Sequence, residues 1–421
     1  MPSCAAREKN YNMAANAKYS DLSYGRTEPK DLTLGEKLGA LIAAAKLVAA
    51  LPVLILQALF RGRSKSGKPW VYQLRNRILH FLLCRVDNRQ INLASPRTAT
   101  RIAMVSKRLK VDVTVEEIAQ GGKIHWWGQR KGQKVLLHIH GGGYNLPIGE
   151  HHLAFYHKTQ QRLKAKGMDV DLAFLEYSLT PVARYPTQLV QSVEALRYLL
   201  ETCKYDPANI IISGDSAGGC LVLSVISHIL HNHPAIAPLT LSAPLGGVIS
   251  ISPWTSFDTS AASFKRPTGF DVVLPSFVDV WSRWLVDHPS EPRSAQLPPT
   301  DAYTEPLAAS SGGKIVNYTW DEYNQPNQAK AGWWAGFPVR KTQILIGEDE
   351  TLRDSIVELV SVFQEGATRK RDGKGGTEVQ VVMCEGEIHT ECLYDTFIPG
   401  DLPAPGKMAE SLWAMCEETF Q

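Results

Sequence analysis

Short apolar runs alternate along this chain with longer segments whose apolar residues recur at helical spacing. From residue 135 onward the pattern predicts a strand ending at His140, a helix near 152–166, a strand at 169–177, a helix at 188–202, a strand at 210–213 and a helix after Ser216. Two further runs, 111–117 and 123–127, bracket a Gly-Gly pair, which predicts a hairpin. Alternating strands and helices predict an α/β fold with a doubly wound, mostly parallel sheet.

The alternation breaks between Trp254 and Thr342, which predicts an inserted cap at about 256–340. Within it a helical stripe is formed by Phe277, Val280, Trp281, Trp284 and Leu285. Such a stripe usually packs in a core, although part of it can line an apolar pocket. Residues 308–330 are rich in Gly, Ser, Asn and Gln and predict a mobile loop.

The first hundred residues have a different pattern. Residues 1–30 are polar and predict disorder, and 31–100 predict a helical lid or a membrane-associated segment, with one helix over roughly 70–100. Residues 38–60 are apolar over a membrane-spanning length but contain Lys46, which costs about 3 kcal/mol at mid-membrane. The basic residues at 61–65 would keep the rest of the chain in the cytosol if 38–60 spans a membrane.

Composition narrows the function classes. The chain has 421 residues, 44% hydrophobic and 21% charged, with a net charge of +3. This is a soluble composition without a basic, aromatic-interleaved run, so we expect no nucleic-acid partner. Seven scattered cysteines predict no disulfide framework and a reducing compartment, and hence a cytoplasmic or membrane-associated protein, the endoplasmic reticulum surface included. His151, His152 and His157 are interpreted as helix surface, and we expect neither a metal nor a cofactor. The oligomeric state is not indicated.

Two glycine-rich motifs each follow a predicted strand. The first is His140-Gly141-Gly142-Gly143-Tyr144, and the second is Gly214-Asp215-Ser216-Ala217-Gly218-Gly219. Glycines two residues either side of a serine suit a tight strand-to-helix elbow, and a glycine run lets bare N–H groups approach a substrate carbonyl. The backbone N–H groups of Gly142, Gly143 and Ala217 are the predicted oxyanion hole, where one donor is worth about 3–4 kcal/mol.

These motifs resemble those of the hormone-sensitive-lipase-like α/β-hydrolases (fold-3 family), and especially fungal carboxylesterases and steryl acetyl hydrolases. Between and after the motifs the resemblance extends to Tyr177-Ser178-Leu179-Thr180-Pro181, Tyr185-Pro186-Thr187-Gln188-Leu189 and Ser252-Pro253-Trp254. It covers roughly residues 100–400 and implies an α/β-hydrolase domain at 101–421 with a helical cap. It also implies a catalytic triad with Ser216 as the nucleophile.

In this fold the triad follows the chain order Ser, acid, His. The histidines after Ser216 are His228, His231, His233, His288 and His389. The first three belong to the helix that starts at the elbow, and His288 precedes the best acid candidate. His389, just past the predicted strand 379–383, is therefore the predicted base.

The acid is predicted from the resemblance. The family places it three residues before the Arg of an acid-x-Leu-Arg-Asp pattern, which here gives Glu350. Most members have Asp, but Glu can also orient an imidazole through Nδ1–H. Asp349 and Asp354 remain alternatives, with Asp354 better suited to bracing the helix that follows.

The sequence thus predicts a serine carboxylesterase with a Ser216–His389–Glu350 triad. We expect its substrate to be an ester of a small or medium acyl group on an apolar molecule, such as a fungal secondary metabolite or a steryl acetate. Tyr144 either lines the substrate pocket or packs beneath the glycine loop. The same fold could instead support acyl transfer, cyclisation or dehydration, or serve as a non-catalytic small-molecule receptor.

Overall fold

The computed structural model describes residues 34–60, 67–86, 90–91, 95–180, 183–266, 270–286, 321–370, 373, 375–398 and 405–421. The predicted disorder at 1–30 lies outside this part of the chain. So do residues 308–320, the first part of the predicted mobile loop.

An eight-stranded sheet runs through the described chain. Its strands are β1 (Val113–Glu117), β2 (Lys123–Trp127), β3 (Val135–Ile139), β4 (Asp171–Glu176), β5 (Ile210–Asp215), β6 (Leu245–Ile251), β7 (Val339–Gly347) and β8 (Glu378–Cys384). The strand order is β1-β2-β4-β3-β5-β6-β7-β8. The predicted hairpin β1–β2 and its pairing with β4 are antiparallel, and every other pair is parallel. The predicted doubly wound, mostly parallel α/β fold is confirmed.

Helices flank both faces of this sheet and also form the N-terminal segment and the cap. They are α1 (Leu34–Phe60), α2 (Trp70–Leu83), α3 (Thr98–Leu109), α4 (Glu150–Ala165), α5 (Thr187–Arg197), α6 (Ala217–His231), α7 (Ala262–Lys265), α8 (Pro275–Leu285), α9 (Arg353–Ala367), α10 (Glu391–Tyr394) and α11 (Lys407–Phe420). Leu137 packs in a core with α5, α6 and α9, whereas Leu136 packs in the opposite core with α3, α4 and α11. These residues belong to β3, whose first three residues are all apolar because both faces of the strand are buried.

The segment between β6 and β7 contains α7 and α8. The predicted helical stripe forms α8, and its apolar residues are buried. The prediction of a mobile loop over 308–330 is wrong for 321–330, where Tyr323, Pro326 and Ala329 are buried. Asp321 Oδ1 accepts the backbone N–H groups of Tyr323 and Asn324, both at 2.9 Å, so polar side chains here form a packed turn rather than a solvated loop.

The N-terminal helices differ from the prediction in one respect. The helix expected over roughly 70–100 ends at Leu83, and α3 begins only at Thr98, just after a proline at 96. Helix α1 is long and apolar enough to cross a membrane. Only 6% of its apolar 18-residue stretch is buried. The expectation of no disulfide is also wrong, since Cys84 is disulfide-bonded.

Candidate active site

Ser216 occupies the junction between β5 and α6, with φ 53° and ψ −119°. Its neighbours have no room for side chains. A Cβ on Gly214 would lie 2.2 Å from the carbonyl oxygen of Gly218, and a Cβ on Gly218 would lie 2.0 Å from that of Ile139. A non-glycine residue held at positive φ in a strand-to-helix turn is the geometry of a nucleophile elbow.

The glycine loop after β3 lies directly against this elbow. The Gly141 N–H donates to Asp215 Oδ1 at 2.9 Å, and a Cβ on Gly141 would lie 2.9 Å from the Cβ of Ser216. Gly142 and Gly143 have φ values of 96° and 61°, which favour glycine. In the part of the chain that the structure describes, the three N–H groups predicted to form the oxyanion hole have no hydrogen-bond acceptor. They are free to bind a substrate oxygen.

His389 and Glu350 form a buried pair. His389 Nδ1 lies 2.8 Å from Glu350 Oε2, and Glu350 Oε1 accepts the N–H of Gly347 at 2.9 Å. Burial raises the pKa of Glu350 and outweighs its hydrogen bond from His389. Burial alone would lower the pKa of His389, but the carboxylate of Glu350 outweighs burial and brings it above the ordinary value. The pair can therefore hold a proton on the imidazole when one is delivered to it.

One of the two alternative acids, Asp354, has its carboxylate engaged elsewhere. Asp354 pairs with Arg353 at 2.5 Å and accepts the N–H of Ser263, in the cap, at 2.7 Å. The backbone N–H of Asp349 donates to the carbonyl of Glu387 at 3.0 Å. Of the three acids weighed from the sequence, the structure brings Glu350 together with His389 and places Asp354 in a bracing role.

Ser252 joins the elbow to this pair and was missed by the sequence interpretation. The Trp254 N–H donates to the carbonyl of Ser216 at 2.9 Å, so the loop after β6 is attached to the elbow. In the same loop, Ser252 Oγ accepts the N–H of Thr390 at 3.1 Å, which attaches the loop after β6 to the residue that follows His389. The φ of Ser252 is 45°. The sequence singled out Ser252 only as part of the Ser252-Pro253-Trp254 match and assigned it no role.

These contacts bring the predicted nucleophile, base and acid to the same end of the sheet. Within the described residues, no hydrogen bond joins Ser216 Oγ to His389 Nε2. In unliganded active sites such a bond is often long and tightens only when substrate binds.

The aromatic residues around the glycine loop have different positions. His140 stacks on Tyr177 at 4.5 Å, and its Nδ1 lies 2.8 Å from the carbonyl of Gly141. It therefore supports the loop from below. Tyr144 is 2% exposed and packs 5.7 Å from Trp254, which is the packing alternative weighed above. Its contact with substrate stays a prediction.

Helix α8 of the cap covers the glycine loop through Trp281. A Cβ on Gly143 would lie 1.8 Å from a ring carbon of Trp281, so the indole rests directly on that glycine. The sequence marked Trp281 as one of a stripe but gave no reason to single it out. The cap thus excludes water from the loop that carries the predicted oxyanion donors.

His138, His152 and Asp215 form a buried cluster with ligand-like spacing. The interpretation of His152 as helix surface is wrong, because its Nε2 lies 3.2 Å from Asp215 Oδ2. The Gly149 N–H donates to His152 Nδ1 at 3.0 Å, so Nδ1 holds the lone pair of the neutral imidazole. Nε2 then carries the proton and has no lone pair to offer a metal ion. In this cluster His152 supports Asp215 by a hydrogen bond, and His138 Nε2 lies 3.2 Å from Asp215 Oδ1. Burial alone would raise the pKa of Asp215, but His152 and His138 hold it well below its usual value.

The sequence from 136 to 393 matches the family described as alpha/beta hydrolase fold. The chain belongs to the hormone-sensitive-lipase-like α/β-hydrolases. This range includes the elbow, the glycine loop and both residues of the buried pair.

Curated relatives of this α/β-hydrolase include three kinds of named hydrolase. Arylacetamide deacetylase of Mus musculus is 28% identical over 159 residues, 36% of this chain and 38% of the relative. Steryl acetyl hydrolase 1 of Saccharomyces cerevisiae is 31% identical over 128 residues, 29% of this chain and 27% of the relative. Neutral cholesterol ester hydrolase 1 of Pongo abelii is 33% identical over 161 residues, 37% of each chain. The α/β-hydrolase thus spans only about a third of the length of the curated relatives it matches.

Solved structures similar to this α/β-hydrolase include esterases. One is EstE5 soaked with p-nitrophenyl butyrate, with a TM-score of 0.51 and 20% identity over 78% of this chain and 92% of that one. Another, from a study of two fungal esterases of Rhizomucor miehei, has a TM-score of 0.52 and 17% identity over 76% and 90% of the two chains. At this identity the likeness supports the fold.

Proposed function

We propose that this protein hydrolyses carboxylic esters by a Ser216–His389–Glu350 triad. The observation that carries the proposal is the 2.8 Å contact between His389 Nδ1 and Glu350 Oε2, on loops joined through Ser252 to the Ser216 elbow. A support or receptor role would not require a buried imidazole and carboxylate held in this relation.

The arrangement supports the following reaction. His389 Nε2 takes the proton of Ser216 Oγ as that oxygen attacks the ester carbonyl. The N–H groups of Gly142, Gly143 and Ala217 stabilise the oxyanion of the tetrahedral intermediate. His389 then protonates the leaving alcohol, and the same imidazole activates the water that releases the acid from Ser216.

The substrate class is proposed from the relatives' names and from the apolar cap. Those names include a steryl acetyl hydrolase and a cholesterol ester hydrolase. We expect a small or medium acyl group on an apolar alcohol, including a steryl acetate or an acylated secondary metabolite. A substrate of this kind partitions into lipid. We accordingly propose that α1, whose apolar side chains are largely exposed, holds the enzyme at a membrane surface such as that of the endoplasmic reticulum.

The decisive experiment compares wild type with Ser216→Ala and with Ser361→Ala, an exposed serine on α9. We expect Ser216→Ala to lose turnover of p-nitrophenyl acetate and butyrate by at least about 10⁴-fold while the thermal midpoint stays near that of wild type. Ser361→Ala should keep both. Undiminished turnover in Ser216→Ala would refute the proposal.

A fluorophosphonate probe separates this function from the alternatives. Absence of an adduct on Ser216 in wild type would favour a small-molecule receptor. Product analysis with added alcohol distinguishes hydrolysis from acyl transfer, because transfer yields a new ester instead of the free acid.

A further inference from the structure

Asp271 lies in the cap, outside every motif recognised in the sequence, and its side chain is 1% exposed. Its two carboxylate oxygens bind two different loops. Oδ1 accepts the backbone N–H of His389 at 3.1 Å, and Oδ2 accepts the backbone N–H of Thr351 at 2.6 Å. Thr351 follows Glu350 directly, so one carboxylate bridges the backbones of the predicted base and of the residue beside the predicted acid.

We propose that Asp271 is a positioning residue for ester hydrolysis, a cap carboxylate that fixes the distance between the His389 and Glu350 loops. The proposal rests on the function proposed above. It gives the cap a second task besides covering the oxyanion loop, because the same segment fixes the catalytic base and acid relative to each other.

Asp271 is itself held from two sides. His80, on α2, has its Nδ1 2.7 Å from the carbonyl oxygen of Asp271. Burial lowers the pKa of His80, so it is a neutral donor at neutral pH. In addition, Thr351 Oγ1 donates to the carbonyl of Val273 at 3.0 Å. Helix α2, the cap and the loop of Glu350 therefore meet at Asp271.

A carboxylate is the side chain that this position requires. Both of its oxygens only accept hydrogen bonds when ionised, which suits two N–H groups that approach from opposite loops. An asparagine of the same size has one accepting oxygen. Its amide N–H₂ would face the backbone N–H of either His389 or Thr351 and leave that donor unpaired.

The charge of Asp271 also acts on the base. Burial is the largest influence on the pKa of His389 and lowers it, while Glu350, Asp271 and Asp215 raise it. These carboxylates face the imidazole from the acid loop, the cap and the elbow. Burial raises the pKa of Tyr394, on α10, above its usual value, so this neighbour is a neutral phenol at working pH. Removing the charge at 271 should make His389 easier to deprotonate.

The test is Asp271→Asn in the full chain, with Asp279→Asn as the matched control. Asp279 belongs to the same cap, is partly exposed and pairs with Arg283 at 3.3 Å. For Asp271→Asn we expect kcat for p-nitrophenyl butyrate to fall about 10–100-fold with KM within about 3-fold, since misplacement of reacting groups has effects of this size. The acid limb of kcat/KM should move to lower pH. Asp279→Asn should match wild type in all three quantities.

Two results would overturn the proposal. One is a folded Asp271→Asn variant with wild-type kcat. The other is a loss of activity that parallels a fall in thermal midpoint with no movement of the acid limb, which a purely structural role predicts. If the Asn variant does not fold, Asp271→Glu is the second test, because it keeps the charge but displaces the two oxygens. The Asp271→Glu variant should have a lower kcat than wild type, with the acid limb of kcat/KM at the wild-type pH. A wild-type kcat in this variant would also refute the proposal. A wild-type protein without any esterase activity or fluorophosphonate adduct would instead refute the function itself.

Discussion

At the scale of single residues, the environment of His389 decides what the site can do. Its ring is buried, its Nδ1 is occupied by Glu350, and its Nε2 is the nitrogen left for a substrate-side proton. This arrangement fixes the tautomer that a general base needs, because Nδ1 carries the proton and Nε2 carries the lone pair.

Replacing Glu350 by Gln tests that arrangement. The amide can bind the imidazole in the wrong tautomer and cannot stabilise its charged form, so kcat should fall about 10³–10⁴-fold with a smaller change in KM. Since pairing with Glu350 raises the pKa of His389 against the effect of burial, the residual activity should have its acid limb at lower pH than wild type. Steady-state kinetics between pH 5 and pH 9 measure both effects.

Glu365→Gln is the control for this experiment. Glu365 is exposed and pairs with Arg369 on the surface of α9. It should leave kcat and the pH profile unchanged. A Glu350→Gln variant that keeps wild-type kcat would remove Glu350 from the proposed triad.

The residues of the site differ in how far the sequence could predict them. Chain order within the fold singled out His389, and a motif singled out Glu350. Asp271 and Ser252 could not be found in this way, because their roles depend on which backbone N–H groups the folded loops bring to them. Such contacts join residues more than a hundred positions apart and have no local pattern.

At the scale of elements, the start of α2 is connected to the loop of His389 through buried charges. Lys68 Nζ lies 2.9 Å from Asp395 Oδ2 and 3.1 Å from Glu391 Oε1. Arg75 reaches the same two carboxylates at 2.8 and 3.1 Å. All four side chains are less than 10% exposed. The N-terminal arm (residues 67–83) is therefore part of the support of the loop that carries His389.

Lys68→Met should destabilise the protein by about 3–5 kcal/mol, because it leaves buried carboxylates without one of their cations. Lys166→Met is the control, since Lys166 is 47% exposed in its pair with Glu417 and such pairs are worth less than about 1 kcal/mol. Thermal or urea unfolding measures the difference. Equal stability of the two variants would show that the arm does not support the loop.

The arm also shows where element boundaries escape sequence interpretation. Leu74, Ile78 and Leu82 correctly indicated a helix, but α2 ends at Leu83 instead of continuing to about 100. The pattern of apolar residues fixes the existence of a helix better than its end. Helix α2 is held in place by ion pairs with Glu391 and Asp395. The pattern of apolar residues along the helix contains no sign of these pairs.

At the scale of the whole molecule, the sheet and the helical layers on its two faces could be predicted from the sequence. The exposure of the apolar side chains of α1 could not. Unbroken apolar runs such as those of β3 and β5 require burial on both faces, so they implied helices on either side. For α1, the sequence left a lid and a membrane-associated segment as alternatives. In the structure Leu38, Leu41 and Val48 are more than half exposed, so α1 does not pack as a lid over the sheet along these positions.

Membrane association through α1 is tested on the full chain. We expect the protein to sediment with cell membranes, because a face with this much exposed apolar area is stable only against lipid or protein. A carbonate wash then distinguishes the two modes of association. Retention indicates a spanning helix and release indicates surface binding, whereas a protein found only in the supernatant before the wash would refute both.

The ion pairs at the start of the arm set a limit on how far this protein can be shortened. A protease cut after Phe60 would remove the apolar helix α1 and leave Lys68 and Arg75 in place. The remaining fragment should therefore stay folded and keep its esterase activity. A cut beyond Leu83 would remove both cations from Glu391 and Asp395, which lie two and six positions past His389. Anyone trimming the molecule for solubility should therefore choose the boundary between residues 61 and 67.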